Sequence, residues 1–336
     1  MKNVKVGFGI QLPTWANFSY EENIEYAKLA EDAGFDYICV PDHFFLHVER
    51  WTATWDKADP TRPDMFDPYT ILAAVAAVTK KVRLGPGFTP LVYYNPGRLA
   101  RIIATIDQIS NGRFLMGAGA AANRDEEAKA YDLPYYGFNV RFRMMQESIR
   151  LMKKLWTVDG PVTFKGKYYK VDNAPAWPKP VQKPYPPIWY GGSGSKIIEE
   201  VGKNGDGWGP GGIGTRMSPA LYTENMNQIK AFAKQAGRDP EKIVFCGHAV
   251  MSMEKTYDRA FEKFNAQMKI SSGGKDLTDE ELKNSIVGTS DDCIAGIERY
   301  VKAGLNHFVS NPYPHPDNLK DWFTEFKEKI IPYFNT

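Results

Sequence analysis

One alternation recurs along the chain. Apolar positions at helical spacing lead to a glycine, then to a short unbroken apolar run, then to a polar loop. In "IEYAKLAEDAGFDYICVPDHF", residues 24–44, Tyr26, Leu29, Ala30 and Ala33 line one helical face. Gly34 suits the position just past the helix, and Tyr37 to Val40 form a strand. "LARIIATIDQISNGRFLMGAG" repeats the pattern: Leu99, Ile102, Ile103, Ile106 and Ile109 share a face, Asn111 and Gly112 stop the helix, and Phe114 to Met116 form the strand. "IIEEVGKNGDGWGPGG" is a shorter copy. "IAGIERYVKAGLNHFVSNP" turns Ile294, Ile297 and Val301 inward and stops at Gly304.

Strands alternating with helices imply βα units and a parallel sheet buried on both faces. Eight strand candidates follow: 4–12, 36–41, 82–88, 113–118, 187–191, 206–209, 243–250 and 306–310. Eight units predict an α/β fold, a closed (β/α)8 TIM barrel forming a single domain over 1–336. The competing architecture, a doubly wound open sheet, calls for a GxGxxG after the first strand, and none is present. A plain barrel needs about 250 residues, so insertions are expected after strands 2, 4 and 5 and near strand 7, at 44–66, 120–139, 158–186 and 271–285. The third holds a hairpin pattern, "GPVTFKGKYYKV", and a proline-rich run; the fourth is polar and reads as a loop or short helix. The first carries His47, Trp51 and Trp55 and is either a cap over the barrel mouth or a packed surface loop.

Composition narrows the partners. The chain has 336 residues, 43% of them hydrophobic, and its 42 basic and 40 acidic residues are interspersed. No basic stripe or polybasic block is present, so neither nucleic acid nor a membrane surface is an expected partner. Cys39, Cys246 and Cys293 are far apart and share no metal-type spacing, so no metal is expected. Cys39 reads as a small buried hydrophobe. No signal-peptide pattern or membrane-length apolar run occurs, which points to a cytoplasmic protein.

Three segments carry candidate chemistry. In "PIWYGGSGSKIIEE", residues 187–200, a strand ends at Tyr190, small residues follow and a helix starts near Ser195. Open amides at such a helix start attract phosphate, with Ser193 and Ser195 as added donors; the alternative is a plain turn with a serine cap. "VPDHFF" sets Asp42 and His43 at the C-terminal end of the second strand, where barrels keep catalytic groups. His43 is a candidate proton carrier, with Asp42 orienting it or bonding a neighbouring loop; the alternative is a structural pair. "VRLGPGFTPLVYYNP", residues 82–96, starts as a strand and is then interrupted by Gly85, Pro86, Gly87 and Pro90. His307 is either an interior-facing group or a satisfied core histidine, His248 is ambiguous, and His47 and His315 lie in loops. Asp125, Glu126 and Glu127 read as an acidic helix start rather than an acid–base pair.

Taken together, "LAEDAGFDYICVPDHF", "VRLGPGFTPLVYYNPGRLARIIATIDQISNGRFLMGAG", "PPIWYGGSGSKIIEEVGKNGDGW" and "IVGTSDDCIAGIERYVKAGLNHFV" resemble the bacterial luciferase-like family of flavin- and deazaflavin-dependent oxidoreductases. "LGPGFTPLVYYNP" and "GLNHF" resemble the deazaflavin branch. The resemblance implies coenzyme F420 at the C-terminal mouth, with FMN as the alternative. It implies a bulge after strand three, often with a non-prolyl cis bond, which here falls at Gly87–Phe88. Gly87, Phe88, Thr89 and Gly119 would then surround the ring, and Gly191, Gly192, Ser193, Gly194 and Ser195 would hold the phosphate. His43 would act as proton donor or carbonyl polariser, oriented by Asp42. The alcohol and sugar-phosphate members carry a glutamate a few residues after strand four; here alanines come first and acids only at 125–127. No lysine matching the sugar-phosphate clamp stands in "GPGGIGTRMS", although Arg216 is near. The implied activity is hydride transfer between F420 and a small organic substrate. The alternatives are an FMN-dependent monooxygenase using O2 and a non-catalytic binder of a flavin-like ligand. The family habit also implies a homodimer, and a separate flavin or F420 reductase is a further expected partner.

Overall fold

The computed structural model describes residues 5–15, 18–45, 65–121, 125–272, 274–312, 316 and 318–335. All eight strand candidates are present: β1 (Gly7–Gln11), β2 (Tyr37–Val40), β3 (Arg83–Pro86, resumed at Thr89–Pro90), β4 (Met116–Gly119), β5 (Ile188–Gly191), β6 (Gly207–Gly209), β7 (Val244–Met253) and β8 (His307–Pro312). They are parallel and pair in chain order, and β8 returns to β1 through Gly7↔His307. The ring closes between β3 and β4 in two places. A bridge joins Leu84 to Phe114, and above it Thr89 pairs with Ala118 and Pro90 with Gly119. Such closure excludes the open sheet and leaves no long unpaired edge.

The helices begin and end where their sequences dictate. α1 (Tyr20–Ala33) starts with a capping box between Ser19 and Glu22 and ends at Gly34, whose φ of 91° is one that a side chain disfavours. α2 (Pro68–Val78) and α3 (Pro96–Ile109) each open with proline behind a capping side chain, Asp67 and Asn95 respectively. At the N-terminal face Arg113 donates to the carbonyls of Ala76, Thr79 and Val82 and so ties β4 to the end of α2. Glu31 accepts from the amides of Lys80, Lys81 and Val82. Burial would raise its pKa, but those three amides and Arg113 outweigh it and lower it.

One insertion departs from expectation. The hairpin (Val162–Lys165 with Lys170–Ala174) precedes β5 rather than following it. A segment between a helix and the next strand leaves from the N-terminal face, so it is not a rim loop by origin. It lies along α5 (Phe138–Thr157): Lys154 donates to Thr163 O, and Glu147 accepts the amides of Lys167, Tyr168 and Tyr169 at the turn. Its tyrosines reach Val92, Ala121 and Met144. The polar stretch near strand seven contains the short helix Asp279–Asn284. The segment with His47, Trp51 and Trp55 lies outside the described residues, as does His315.

The barrel interior is filled by large side chains lying over glycines of neighbouring strands. His307 covers Gly7, Trp189 covers Gly207, and a methyl on Gly85 would fall on the carbonyl oxygen of Leu115. Gly85→Ala is therefore expected to destabilise the fold by ~2 kcal/mol or more. At Gly211 a methyl meets nothing within 4 Å, so Gly211→Ala should stay within about 0.5 kcal/mol of wild type. Denaturant titration of both variants checks this.

Candidate active site

The floor of the C-terminal mouth is the ring of Phe88. The Gly87–Phe88 bond is cis, as the sequence resemblance implies. The ring fills a space that glycines from three strands leave open. A Cβ at Gly191 would lie 2.7 Å from it, at Gly209 2.5 Å and at Gly117 2.9 Å. Gly119 borders the same residue through its Cβ, at 3.6 Å. Gly87 faces Cys39 and His248, and the His248 ring lies 5.4 Å from that of Phe88. His248 keeps partial exposure, yet its Nε2 is shut off from solvent and has no hydrogen-bond partner among the described residues. Burial, and secondarily His307, pushes its pKa down to about 4, so the ring is neutral at ordinary pH.

On the opposite wall His43 leaves the end of β2. Its Nδ1 lies 2.6 Å from Oε1 of Glu127, and Oε2 of the same carboxylate accepts the Phe44 amide at 2.8 Å. Glu127 sits on α4 (Asp125–Ala130) with its side chain 9% exposed, while that of His43 is 30% exposed. The carboxylate end of the pair is thus buried and the imidazole end partly exposed. Phe44 packs on Tyr131 at 4.5 Å and Tyr93 at 6.2 Å, which pins the strand end to α4. The orienting role assigned to Asp42 needs correction. Its buried carboxylate accepts the Tyr94 hydroxyl at 3.1–3.2 Å, and Glu127 is the carboxylate that holds His43. The reading of residues 125–127 as a helix-start cluster is likewise corrected for Glu127, which turns into the site. Burial first, and the Asp42 charge second, push the Tyr94 and Tyr69 phenols well up, so both remain protonated donors.

The other expected site residues divide into two groups. Thr89 is wholly buried and its hydroxyl is bonded to Tyr69 at 2.7 Å, which makes it a support of the floor rather than a contact surface. Gly191 to Ser195 stand at the rim. Gly192 has a φ of 109°, and its carbonyl accepts the Trp208 indole at 2.7 Å. Gly194 caps α6 (Ser195–Asn204) without a side-chain bond, and a Cβ there would meet nothing within 4 Å. The amides of Ile197 and Ile198 bond Gly194 O, which leaves those of Ser195 and Lys196 to point outward from the exposed helix start. An anion fits this end. His307 is a satisfied core histidine at the other face, with Nε2 2.6 Å from Asp36. The three cysteines are buried and unpaired with one another.

Sequence reading missed Glu127, Tyr94 and Tyr69 as site residues. A signal for Glu127 was available: it is the third of three consecutive acids that follow the fourth strand.

A model described as luciferase-like monooxygenase matches residues 6–307. An F420-dependent glucose-6-phosphate dehydrogenase from Amycolatopsis mediterranei is 30% identical, over 94% of this chain and 95% of its own length. The solved structure of an F420-dependent secondary alcohol dehydrogenase, in complex with an F420-acetone adduct, is similar at 26% identity with a TM-score of 0.83, covering 99% of this chain and 100% of that one. A monooxygenase from Streptomyces bottropensis, 21% identical with a TM-score of 0.80 over 98% of this chain and 99% of its own, shares the fold.

The depressed pKa of His248 has a consequence for stability. The unfolded histidine, with its ordinary value of about 6.5, binds a proton that the folded one refuses until about pH 4. The contribution is fully present above pH 6.5 and is lost as pH falls toward 4. Denaturant midpoints should drop across that window in the wild type and drop less in His248→Gln. An equal drop in both would place the acid sensitivity elsewhere.

Proposed function

The chain belongs to the luciferase-like monooxygenase family of oxidoreductases, and from that premise we propose that it passes a hydride between coenzyme F420 and a small alcohol or carbonyl compound. The observation that carries this reading is the hydrogen-bonded His43–Glu127 pair, with a partly exposed imidazole, at the same mouth whose floor is Phe88 and whose rim bears the helix start at Ser195. The residues fit the cofactor in two respects. Gly194 leaves the backbone open at the helix start, and that helix start suits a phosphate. The loop after β6 has Arg216 and no lysine matching the sugar-phosphate clamp that the resemblance implies.

Bound F420 would supply or accept the hydride. The protein's part is the proton. An ionised Glu127 only accepts, which keeps a proton on Nδ1 of His43 and makes Nε2 the atom that exchanges the second proton. In the oxidising direction the substrate hydroxyl gives its proton to Nε2 as its carbon loses hydride, and Glu127 stabilises the imidazolium that forms. In the reducing direction the imidazolium returns that proton to the carbonyl oxygen. Asp42 and Tyr94 brace the strand end behind the pair, and Phe88 closes the barrel beneath it.

His43→Ala should lower kcat roughly 100-fold or more, while the F420 Kd from fluorescence titration changes by less than about threefold. Glu127→Gln should lower kcat less and leave the Kd equally unchanged. Equal loss of turnover and cofactor affinity in His43→Ala would remove its proton-carrying role. Preference for FMN together with O2 consumption would replace the reading with the monooxygenase one. Binding without turnover of any alcohol or carbonyl would leave a ligand binder.

A further inference from the structure

We propose that Gln11 and Asn311 set the specificity of the mouth: they select a small substrate with a second uncharged oxygen on the carbon next to the reacting one, a vicinal diol or a hydroxy ketone. This deepens the hydride-transfer reading above and rests on it. The strand register places both residues. Gly9, Val309 and His248 stand abreast on β1, β8 and β7, through the pairs Gly9↔Val309 and His248↔Val309. All three face the barrel interior: a Cβ at Gly9 would lie 2.9 Å from Val309, and the His248 ring lies against Phe88. Strand side chains alternate, so the residues two places further on face inward as well. Those residues are Gln11, Asn311 and Val250. Val250 pairs with Asn311, and Ile10 pairs with Ser310, which sets Gln11 beside Asn311 on the neighbouring strand. The row therefore stands one pleat above His248 on the way to the mouth, and each member is partly exposed.

Its chemistry is neutral and polar. Across the mouth, β4 to β6 contribute Gly117, Gly191 and Gly209, whose missing side chains admit Phe88. The row of Gln11, Asn311 and Val250 has two carboxamides and no ionisable group. Neither carboxamide has a hydrogen-bond partner among the described residues, although each can both donate and accept. A charged substrate group would call for an opposite charge there, whereas a hydroxyl or carbonyl oxygen matches an amide. β1 adjoins β2, and His43 lies further out along that strand than Cys39, the partner of Gln11. A small molecule whose reacting hydroxyl meets His43 thus turns its adjacent carbon toward the row. Oxidation of a diol sends hydride from one carbinol carbon to F420 and the proton of that carbon's hydroxyl to His43. A hydroxy ketone is left, and the second hydroxyl is bound but unchanged.

The test compares kcat/KM for propylene glycol and isopropanol, which differ by one hydroxyl, with F420 as the acceptor. The wild type should favour the diol roughly ten- to hundredfold, the range that two hydrogen bonds at a water-accessible site supply. Gln11→Met and Asn311→Leu nearly conserve side-chain volume. Each should lower that ratio, and together they should bring it within about threefold of unity. The F420 Kd of the double variant, from fluorescence titration, should stay within about threefold of wild type, which also shows that it is folded. A ratio near unity in the wild type, or one that survives in the double variant, would overturn the specificity role and leave the hydride-transfer reading intact. A loss of F420 affinity of about tenfold or more in both single variants would put the amides on the cofactor and overturn the role as well. F420 binding without turnover of either alcohol would overturn the hydride-transfer reading itself, and with it the role drawn from it.

Discussion

A closed ring of eight parallel strands must have its inside filled, and everything else in this molecule accommodates the way it is filled. The interior uses few large groups, each lying over a glycine on a neighbouring strand: His307 over Gly7, Trp189 over Gly207, Phe88 over Gly117, Gly191 and Gly209. No methyl fits beneath those rings without something shifting, because interiors are packed at crystal-like density. Phe88 is the uppermost of these fillers. It is the last layer of the core at the mouth, so the shape of the mouth is inherited from the packing of β3 to β6. The interruption of β3 follows from the same demand. The strand pairs with β2 and bridges β4 before Gly87, then pairs with β4 again from Thr89, and the residue between them is the one turned into the barrel.

Two histidine–carboxylate pairs, each 2.6 Å apart, show how strand direction separates stability from chemistry. His307 begins β8 and Asp36 precedes β2, so this pair lies at the N-terminal face. There Asp36 also accepts the Phe8 amide, and His307 is packed against Tyr37 and Trp189. His43 follows β2 and Glu127 follows β4, so the second pair lies at the C-terminal mouth, with its imidazole partly exposed. Each sets an imidazole on a carboxylate, glutamate for His43 and aspartate for His307, at the same distance. The end of the barrel on which they fall makes one a brace and sets the other at the mouth, where the proposed reaction would use it.

The strands were the most legible part of the sequence. All eight stand where continuous apolar runs and flanking glycines put them, because both signals are local. The mouth was legible in part: the end of β2, the bulge after β3 and the turn after β5 each announce themselves by glycine, proline or a strand-terminal His. Partnerships were not legible. Asp42 adjoins His43 in sequence, yet consecutive residues at a strand end diverge, and Asp42 went to Tyr94 instead. The hairpin was recognised as a hairpin but placed on the wrong side of its strand, since its origin and its resting place depend on α5, to which Glu147 ties it.

By itself, then, the sequence determined the periodic elements, their caps, their order and hence the parallel barrel, since each depends on interactions within a few residues or on the alternation of neighbouring elements. It also determined which strand ends hold small or titratable residues. Only the tertiary structure decided which carboxylate holds His43, across 84 residues of chain, that His248 is kept neutral beside Phe88, and that Gln11 and Asn311 stand side by side at the mouth. These depend on distances between segments that meet only after the ring has closed, and no local spacing encodes them.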